Sequence, residues 1–337
     1  MSSPEIKNGS FLVTGGANLI GSHITEALLS QGAKRVVIFD NFYFGPSPHL
    51  EPLLADSRVE LVRGDVMRLD QLVAAMQGID GVFSMAALLT GPLALDPLVG
   101  IRVNIEGLIH QLDAARFAKV KKLVLASSIA VYGSASDGLL SENRLWDSTD
   151  LAPPFAIYGL SKIMGEYLGR HYSNTHDVDF SAVRFSTVYG ERQHNRGVNT
   201  QIIPKTIQSV RSGKAPELFG GGNDAHDYVH ASDVAAGALC AMERGATGES
   251  YNIASGVSTT SRQIVKLVLK ELNSHFEPID IVDDRVHRGT APEVLNIDIR
   301  KAKNDLGWEP QVAVAEGIAR LVTWYASQES SLSGANP

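Results

Sequence analysis

Three side chains in this sequence could together hold an oxygen and move a proton: Ser128 in "LASSIAVYG", and Tyr158 and Lys162 in "YGLSK". The tyrosine and lysine stand at i and i+4, which on a helix sets them one turn apart on one face. A free phenol titrates near pH ~10 and is a poor base at neutral pH, but a positive charge beside it favours the phenolate. Tyr158 could then take a proton from a substrate hydroxyl while Ser128 holds the oxygen by a hydrogen bond. By itself a Tyr-x-x-x-Lys pair is common on solvated helix faces. The chemistry therefore depends on what accompanies it.

A phosphate-cradling turn accompanies it. "FLVTGGANLIGSH" runs from an apolar strand into two glycines and then into a helical pattern that starts at Leu19 and Ile20. In such turns the first glycine permits the tight turn, the second lets the backbone approach a pyrophosphate, and the third lets the helix pack on the strand. Gly15 and Gly21 hold the outer places, Gly16 adds permissiveness, and Asn18 stands in the middle. Asparagine tolerates a left-handed backbone. The expectation is that Asn18 keeps that conformation and adds bulk beside the phosphates. The next apolar run, "RVVIFD", ends in Asp40, followed by Asn41 and Phe42. A carboxylate there accepts from the adenine-side ribose hydroxyls and repels a 2′-phosphate. No arginine follows it directly, so the expected cofactor is NAD rather than NADP. Nicotinamide then gives Tyr158 its partner chemistry: hydride leaves the carbon whose hydroxyl proton the tyrosine takes. Lys162 would also bind the nicotinamide ribose.

Short β-branched runs alternate with helical patterns to position these groups: "SFLVTG", "RVVIFD", "RVELVRGD", "GVFSMAA", "KKLVLASS" and a long sixth run, "DFSAVRFSTVYG". This rhythm implies right-handed crossovers and an α/β fold, a doubly wound parallel sheet of the Rossmann type, with its ligand site at the carboxyl ends of the strands. After Gly190 long polar loops alternate with helices, as expected of a smaller C-terminal α/β lobe that contacts substrate. The expected division is a cofactor-binding domain with the Tyr/Lys helix over 1–190, a mainly substrate-binding lobe with segments returning to the first domain over 191–328, and a flexible tail over 329–337.

The chain has 337 residues, 44% of them hydrophobic and 20% charged, and a formal charge of -7. That balance suits an ordinary globular enzyme and argues against nucleic-acid binding. The single cysteine, Cys240, rules out an internal disulfide and reads as a small buried residue. "MSSPEIKNGS" lacks the apolar core of a signal peptide, and no apolar run reaches membrane-span length. A cytoplasmic protein without a membrane partner is expected.

With these residues in hand, the chain resembles the extended short-chain dehydrogenase/reductase family, in particular its NAD-dependent epimerase/dehydratase branch, which includes the UDP-galactose 4-epimerases. "TGGANLIGSH", "FDN", "RGDV", "SMAALL", "VNIEGLIHQLDAAR", "SSIAVYG", "YGLSK", "YNIASGVSTTSRQIV" and "DIRKAKNDLGWEP" carry the likeness over nearly the whole chain. The resemblance implies that Asp65 and Val66 flank adenine, that Ala86, Ala87 and Leu88 line the diphosphate and ribose, and that Asn104 orders the cofactor site. It adds Ser127 and Phe185 to the cofactor set. It also implies a homodimer, built by the helices of "LVGIRVNIEGLIHQLDAARFA" and "YGLSKIMGEYLGRHY".

Departures from the family pattern bear on the substrate. Besides Asn18, the usual histidine of "HLAA" is Ser84, and the proline before the tyrosine is Ile157. At nucleotide-contacting positions, Thr187 and Gln201 stand for asparagines and His226 for the arginine of an "RDY" motif, while Arg288 keeps one expected arginine. A guanidinium grips phosphate as a fork and an imidazole does not. The small-molecule substrate, a sugar or nucleotide sugar, is thus expected to meet Ser128, Thr187, Gln201, His226 and Arg288. Ser128 is followed by Ile129 and Ala130, with no carboxylate to assist elimination, which disfavours a dehydratase. His226, His230 and His287 are read as polar loop residues without carboxylate partners, and no metal is expected. The leading reading is an epimerase that oxidises a secondary hydroxyl to a transient ketone. The alternative is a dehydrogenase that releases NADH from a non-nucleotide sugar, sugar acid or hydroxy acid.

Overall fold

The computed structural model describes residues 3–45, 47–134, 138–149, 151–193, 201–282 and 294–333. Arg288 and His287 lie outside them. Seven strands make one parallel sheet in the spatial order Ser250–Ile253, Asp179–Phe185, Lys122–Ser128, Gly81–Ser84, Ser10–Thr14, Arg35–Asp40, Val59–Arg63. Numbered along the chain, the sheet strands therefore run 3-2-1-4-5-6-7 from one edge to the other. The order reverses between Ser10–Thr14 and Gly81–Ser84, and there a crevice opens at the carboxyl ends.

Both faces of this sheet are covered, which is why its inner strands read as continuous apolar runs. The pleat divides them. Phe11, Val13 and Val124 pack with Ile24 and Leu28 of the helix Leu19–Ser30 and with Val234 and Ala238 of the helix Ala231–Arg244. Leu12, Leu123 and Leu125 pack on the other face with Leu108 and Leu112 of the helix Gly107–Ala118 and Tyr172 of the helix Pro153–His176. The helix Ala231–Arg244 and the strand Ser250–Ile253 thus return the chain to the main sheet after Gly190.

The expected sixth strand is not continuous. Asp179–Phe185 stays in the main sheet, whereas Thr187–Tyr189 leaves it to pair in parallel with Ala225–His230, which also pairs antiparallel with Ser258–Thr260. The break falls at Ser186, whose hydroxyl donates to the buried Asp227 at 2.8 Å while Asp227 also accepts from the amides of Ser255 and Gly256. This carboxylate ties the strand switch to a distant loop.

One helical path bears on the site. The helices Pro97–Ile101 and Gly107–Ala118 are joined without a turn by a π-helical stretch, Arg102–Glu106. Such wide turns occur often at functional sites. Here the stretch carries Asn104. No helix of the described residues is long and apolar enough to cross a membrane.

Candidate active site

The crevice at the strand reversal is a cleft of about 380 Å³. Gly15 and Asn18, Asp40 and Asn41, Asp65 and Val66, and Ala86, Ala87 and Leu88 line it. The turn works differently from the expectation. Asn18 is extended, at φ -93 and ψ 178, and serves as the residue preceding the helix. The left-handed position is Gly15, at φ 65. An asparagine's tolerance of left-handed backbone is thus never used, because an extended middle position accepts any side chain. The outer glycines are required by contact: a Cβ on Gly15 would lie 2.9 Å from the backbone of Ala86, and one on Gly21 would lie 2.4 Å from the Gly15 carbonyl. Leu19 and Ile20 open the helix. Their first-turn amides have no intrahelical acceptor, which makes this terminus a ready anion site.

Asp40 does two jobs at the strand end. Its carboxylate accepts from the amides of Ala17 and Phe42, at 3.0 and 2.8 Å, and it lines the cleft. Asn41 donates to Asp65 at 3.2 Å, linking two loops that line the cleft. Thr14 and Gln111, which the sequence reading passed over, hold the side of Ala86, Ala87 and Leu88 together with Asn104. The Thr14 hydroxyl donates to Gln111 at 2.8 Å and accepts from the amides of Met85 and Ala86. Asn104, on the π-helical turn, accepts from the Leu88 amide at 2.8 Å and donates to the Leu88 carbonyl at 3.0 Å. Leu88, with both backbone groups satisfied, is thereby fixed along the cleft. This donor-lined cleft, with a carboxylate at its end, fits NAD.

Tyr158 and Lys162 are both buried on one face of the helix Pro153–His176. The Tyr158 phenol faces Ser128, whose hydroxyl favours the phenolate and also accepts from the Ala130 amide at 3.1 Å. Lys162 Nζ donates to the Ala126 carbonyl at 2.7 Å and lies 5.8 Å from the tyrosine ring centroid. Burial pushes the phenol up to about 12, with the Ser128 bond opposing it. Burial also draws Lys162 down to about 8, against the pull of Glu166. The lysine alone therefore does not deliver the expected phenolate. The rest of the stabilisation falls to the positive nicotinamide ring. Phe185 is paired with Ser128 in the sheet register, beside this group.

Ser127 behaves differently from its expected place in the cofactor set. The pleat turns its side chain to the opposite side from Ser128, and its hydroxyl donates to Glu166 at 2.6 Å. Only its backbone is left for a ligand. Glu166 was the missed residue, although its signal was present: it continues the i, i+4 series from Tyr158 and Lys162.

Of the substrate-side residues, Thr187 and His226 come to adjacent strands, and Gln201 precedes the helix Ile202–Arg211, whose Ile203 and Ile207 pack on Tyr189 and Tyr228 beneath them. His226 sets its ring edge-on to Tyr228, with 6.3 Å between centroids. Both His226 and His230 lie in the strand Ala225–His230 rather than in a loop, and His230 does have a carboxylate partner. Its Nε2 is 3.1 Å from Glu191, whose other neighbour is His23 at 3.7 Å. Burial would raise the Glu191 carboxyl, but the polar contacts of the two nearby imidazoles outweigh it and hold it well below the usual range. Among the described residues no group of three such side chains could hold a metal ion.

A doubly wound sheet with a glycine turn at its reversal and a Ser–Tyr–Lys set above it defines a dinucleotide-dependent enzyme. Comparison narrows the class. The model of the NAD dependent epimerase/dehydratase family matches residues 11–254. A putative UDP-glucose 4-epimerase of Methanocaldococcus jannaschii is 31% identical over 93% of this chain and 97% of its own length. A dTDP-glucose 4,6-dehydratase of an Actinoplanes species is 30% identical over 95% of this chain and 98% of its own. The crystal structure of UDP-glucuronic acid 4-epimerase from Bacillus cereus, in complex with UDP-glucuronic acid and NAD, superposes with a TM-score of 0.81 at 26% identity, over 95% of this chain and 99% of that one. The chain belongs to the NAD-dependent epimerase/dehydratase family of enzymes, and its cofactor is NAD.

Proposed function

We propose that the protein is a nucleotide-sugar epimerase that retains NAD through its cycle. The observation that carries this reading is the Ser128–Tyr158 pair over Lys162, followed by Ile129 and Ala130 with no carboxylate to assist elimination. Bound NAD supplies a hydride acceptor. Ser128 holds the substrate oxygen, and Tyr158 takes its proton as the carbon–hydrogen bond is broken. After the ketone turns in the site, Tyr158 returns the proton as hydride adds to the other face. Nothing is oxidised or reduced overall. The nucleotide-sugar substrates of relatives support this class, and the missing carboxylate favours epimerase over dehydratase.

His226 favours a second reading, a dehydrogenase of a smaller, unphosphorylated substrate, since an imidazole stands where the family pattern has a guanidinium. Competition separates the two. UDP, GDP and dTDP are tested against turnover in the wild type and in His226→Arg. If the substrate carries a diphosphate, one nucleotide inhibits the wild type and binds His226→Arg more tightly, by on the order of 1 kcal/mol. No inhibition of either protein would favour the dehydrogenase.

The proposal extends to organisation. Residues 1–190 bind NAD and 191–328 mainly contact the sugar nucleotide, with segments returning to the first domain, and Thr187, Gln201 and His226 contribute contacts. Two copies associate through the helices that leave Leu98, Ile101 and Phe117 on one side and Leu160, Met164 and Tyr167 on the other exposed.

A further inference from the structure

The helix Pro153–His176 turns three buried side chains toward the sheet at successive turns: Tyr158, Lys162 and Glu166. The first two act in the proposed chemistry and the third has no part in it. Glu166 is nonetheless the most heavily bonded side chain near the site. Oε1 accepts from Ser127 Oγ at 2.6 Å and Arg184 Nε at 2.8 Å, and Oε2 accepts from Arg184 Nη2 at 2.7 Å and Ser250 Oγ at 2.8 Å. Burial alone would raise its pKa, but these bonds, above all that of Arg184, hold it below the usual range. The guanidinium fork explains how a carboxylate survives here. It does not explain the bond to Ser127.

Ser127 sits between two residues already engaged by the same helix. The Ala126 carbonyl accepts from Lys162, and the Ser128 hydroxyl meets the Tyr158 phenol. Three consecutive residues at the carboxyl end of the strand Lys122–Ser128 thus face three successive turns of one helix, two of them through hydrogen bonds, Ala126 to Lys162 and Ser127 to Glu166.

We propose that Glu166 is a positioning residue: through Ser127 it sets where Ser128 meets Tyr158, and it presents its negative charge to Lys162. The inference rests on the reading of Ser128, Tyr158 and Lys162 given above. If Ser127 is released, Ser128 can shift against the phenol, and a misplacement of about 1 Å costs on the order of 10²-fold in rate. The charge acts separately. Around Lys162, Tyr158 and Glu166 come from its own helix; behind Glu166 stand Arg184, from the strand Asp179–Phe185, and the half-buried Arg170, one turn further along the helix at 3.5 Å. The strand Lys122–Ser128 presents only a carbonyl and hydroxyls. Among these groups Glu166 is the carboxylate that opposes the loss of the lysine's proton, beside the hydrogen bond to the Ala126 carbonyl.

The test uses the NAD-loaded enzyme. Ser127→Ala removes one hydroxyl and leaves both buried charges paired. It should lower kcat by about 10-fold to 10²-fold with NAD affinity and Tm unchanged. Glu166→Gln/Arg184→Met removes the ion pair together, so no guanidinium is left buried alone. In that variant the ¹⁵N resonance of Lys162 Nζ, assigned with Lys162→Met, should titrate at a lower pH than in wild type. This arm needs no substrate. If the wild type turns over no nucleotide sugar, the proposed function fails while the titration still decides the role of Glu166. If the double variant does not fold, Ser127→Ala decides it. Wild-type kcat in Ser127→Ala, or an unmoved Lys162 midpoint in the double variant, would overturn the proposal. A Glu166 that is merely structural would lower Tm in its own variants and leave both readouts in place.

Discussion

Burial raises the Tyr158 phenol to about 12 in the protein alone, so in the proposed mechanism the positive oxidised nicotinamide would have to favour the phenolate. Tyr158→Phe should then leave NAD binding nearly intact, by calorimetry, and lower turnover by at least the ~10²-fold typical of a lost acid/base group. Near-normal turnover would remove the tyrosine from the mechanism. Lys162 gives the pH dependence. Its pKa is depressed to about 8, so the cation is present below that pH and lost as pH rises through it. The kcat/KM profile should fall on its alkaline side near there; a profile flat to pH ~10, the ordinary lysine range, would contradict the assignment. At this scale the sequence was informative wherever spacing alone decided. Ser128, Tyr158 and Lys162 were legible from a strand end and an i, i+4 pair. The upward push on the phenol was not, because depth of burial comes from tertiary packing. Nor was the divergence of Ser127 from Ser128, although the alternation of a strand contains it.

Among the elements, the glycine turn separates residues that are required from residues that are tolerated. Asn18 is extended, so Asn18→Gly should change NAD affinity little and cost only a few tenths of a kcal/mol as a helix-preceding residue. Gly21→Ala places a Cβ 2.4 Å from the Gly15 carbonyl and should destabilise by about 1–3 kcal/mol and weaken NAD binding. Thermal unfolding and NAD titration of both variants check the contrast. A Gly21→Ala protein as stable and as tight as wild type would show that the helix does not need that approach. The alternating strands and helices were readable from their periods. The end of the sixth strand was not. Phe180 to Tyr189 is one apolar-rich run, and the tie that splits it, from Ser186 to Asp227, joins residues far apart in sequence. The π-helical turn beneath Asn104 was equally hidden, since one residue of extra winding barely disturbs a helical pattern.

Across the whole molecule, the strand order follows from the chain's alternation of elements and its right-handed crossovers. The surface shows what the monomer leaves over. Leu160, Met164 and Tyr167, at i, i+4 and i+7, are 49%, 52% and 65% exposed on the helix that also carries Tyr158 and Lys162. Isolated apolar residues are ordinary on a surface, but an apolar helix stripe marks an association face. Light scattering should find a dimer at micromolar concentration, and Met164→Glu should dissociate it. A wild-type monomer would contradict the assembly. The substrate is less legible than the cofactor, because the cleft is built of backbone turns and strand ends, whereas the proposed sugar-nucleotide contacts, Thr187, Gln201 and His226, are individual side chains. The central claim is therefore tested on the reaction itself. The NAD-loaded protein is incubated with UDP-glucose, UDP-galactose and their free sugars, and products are followed by chromatography alongside the absorbance of reduced nicotinamide. The account predicts interconversion of a UDP-hexose pair with no free NADH. Stoichiometric NADH from a free sugar, or a dehydrated product from a nucleotide sugar, would contradict it.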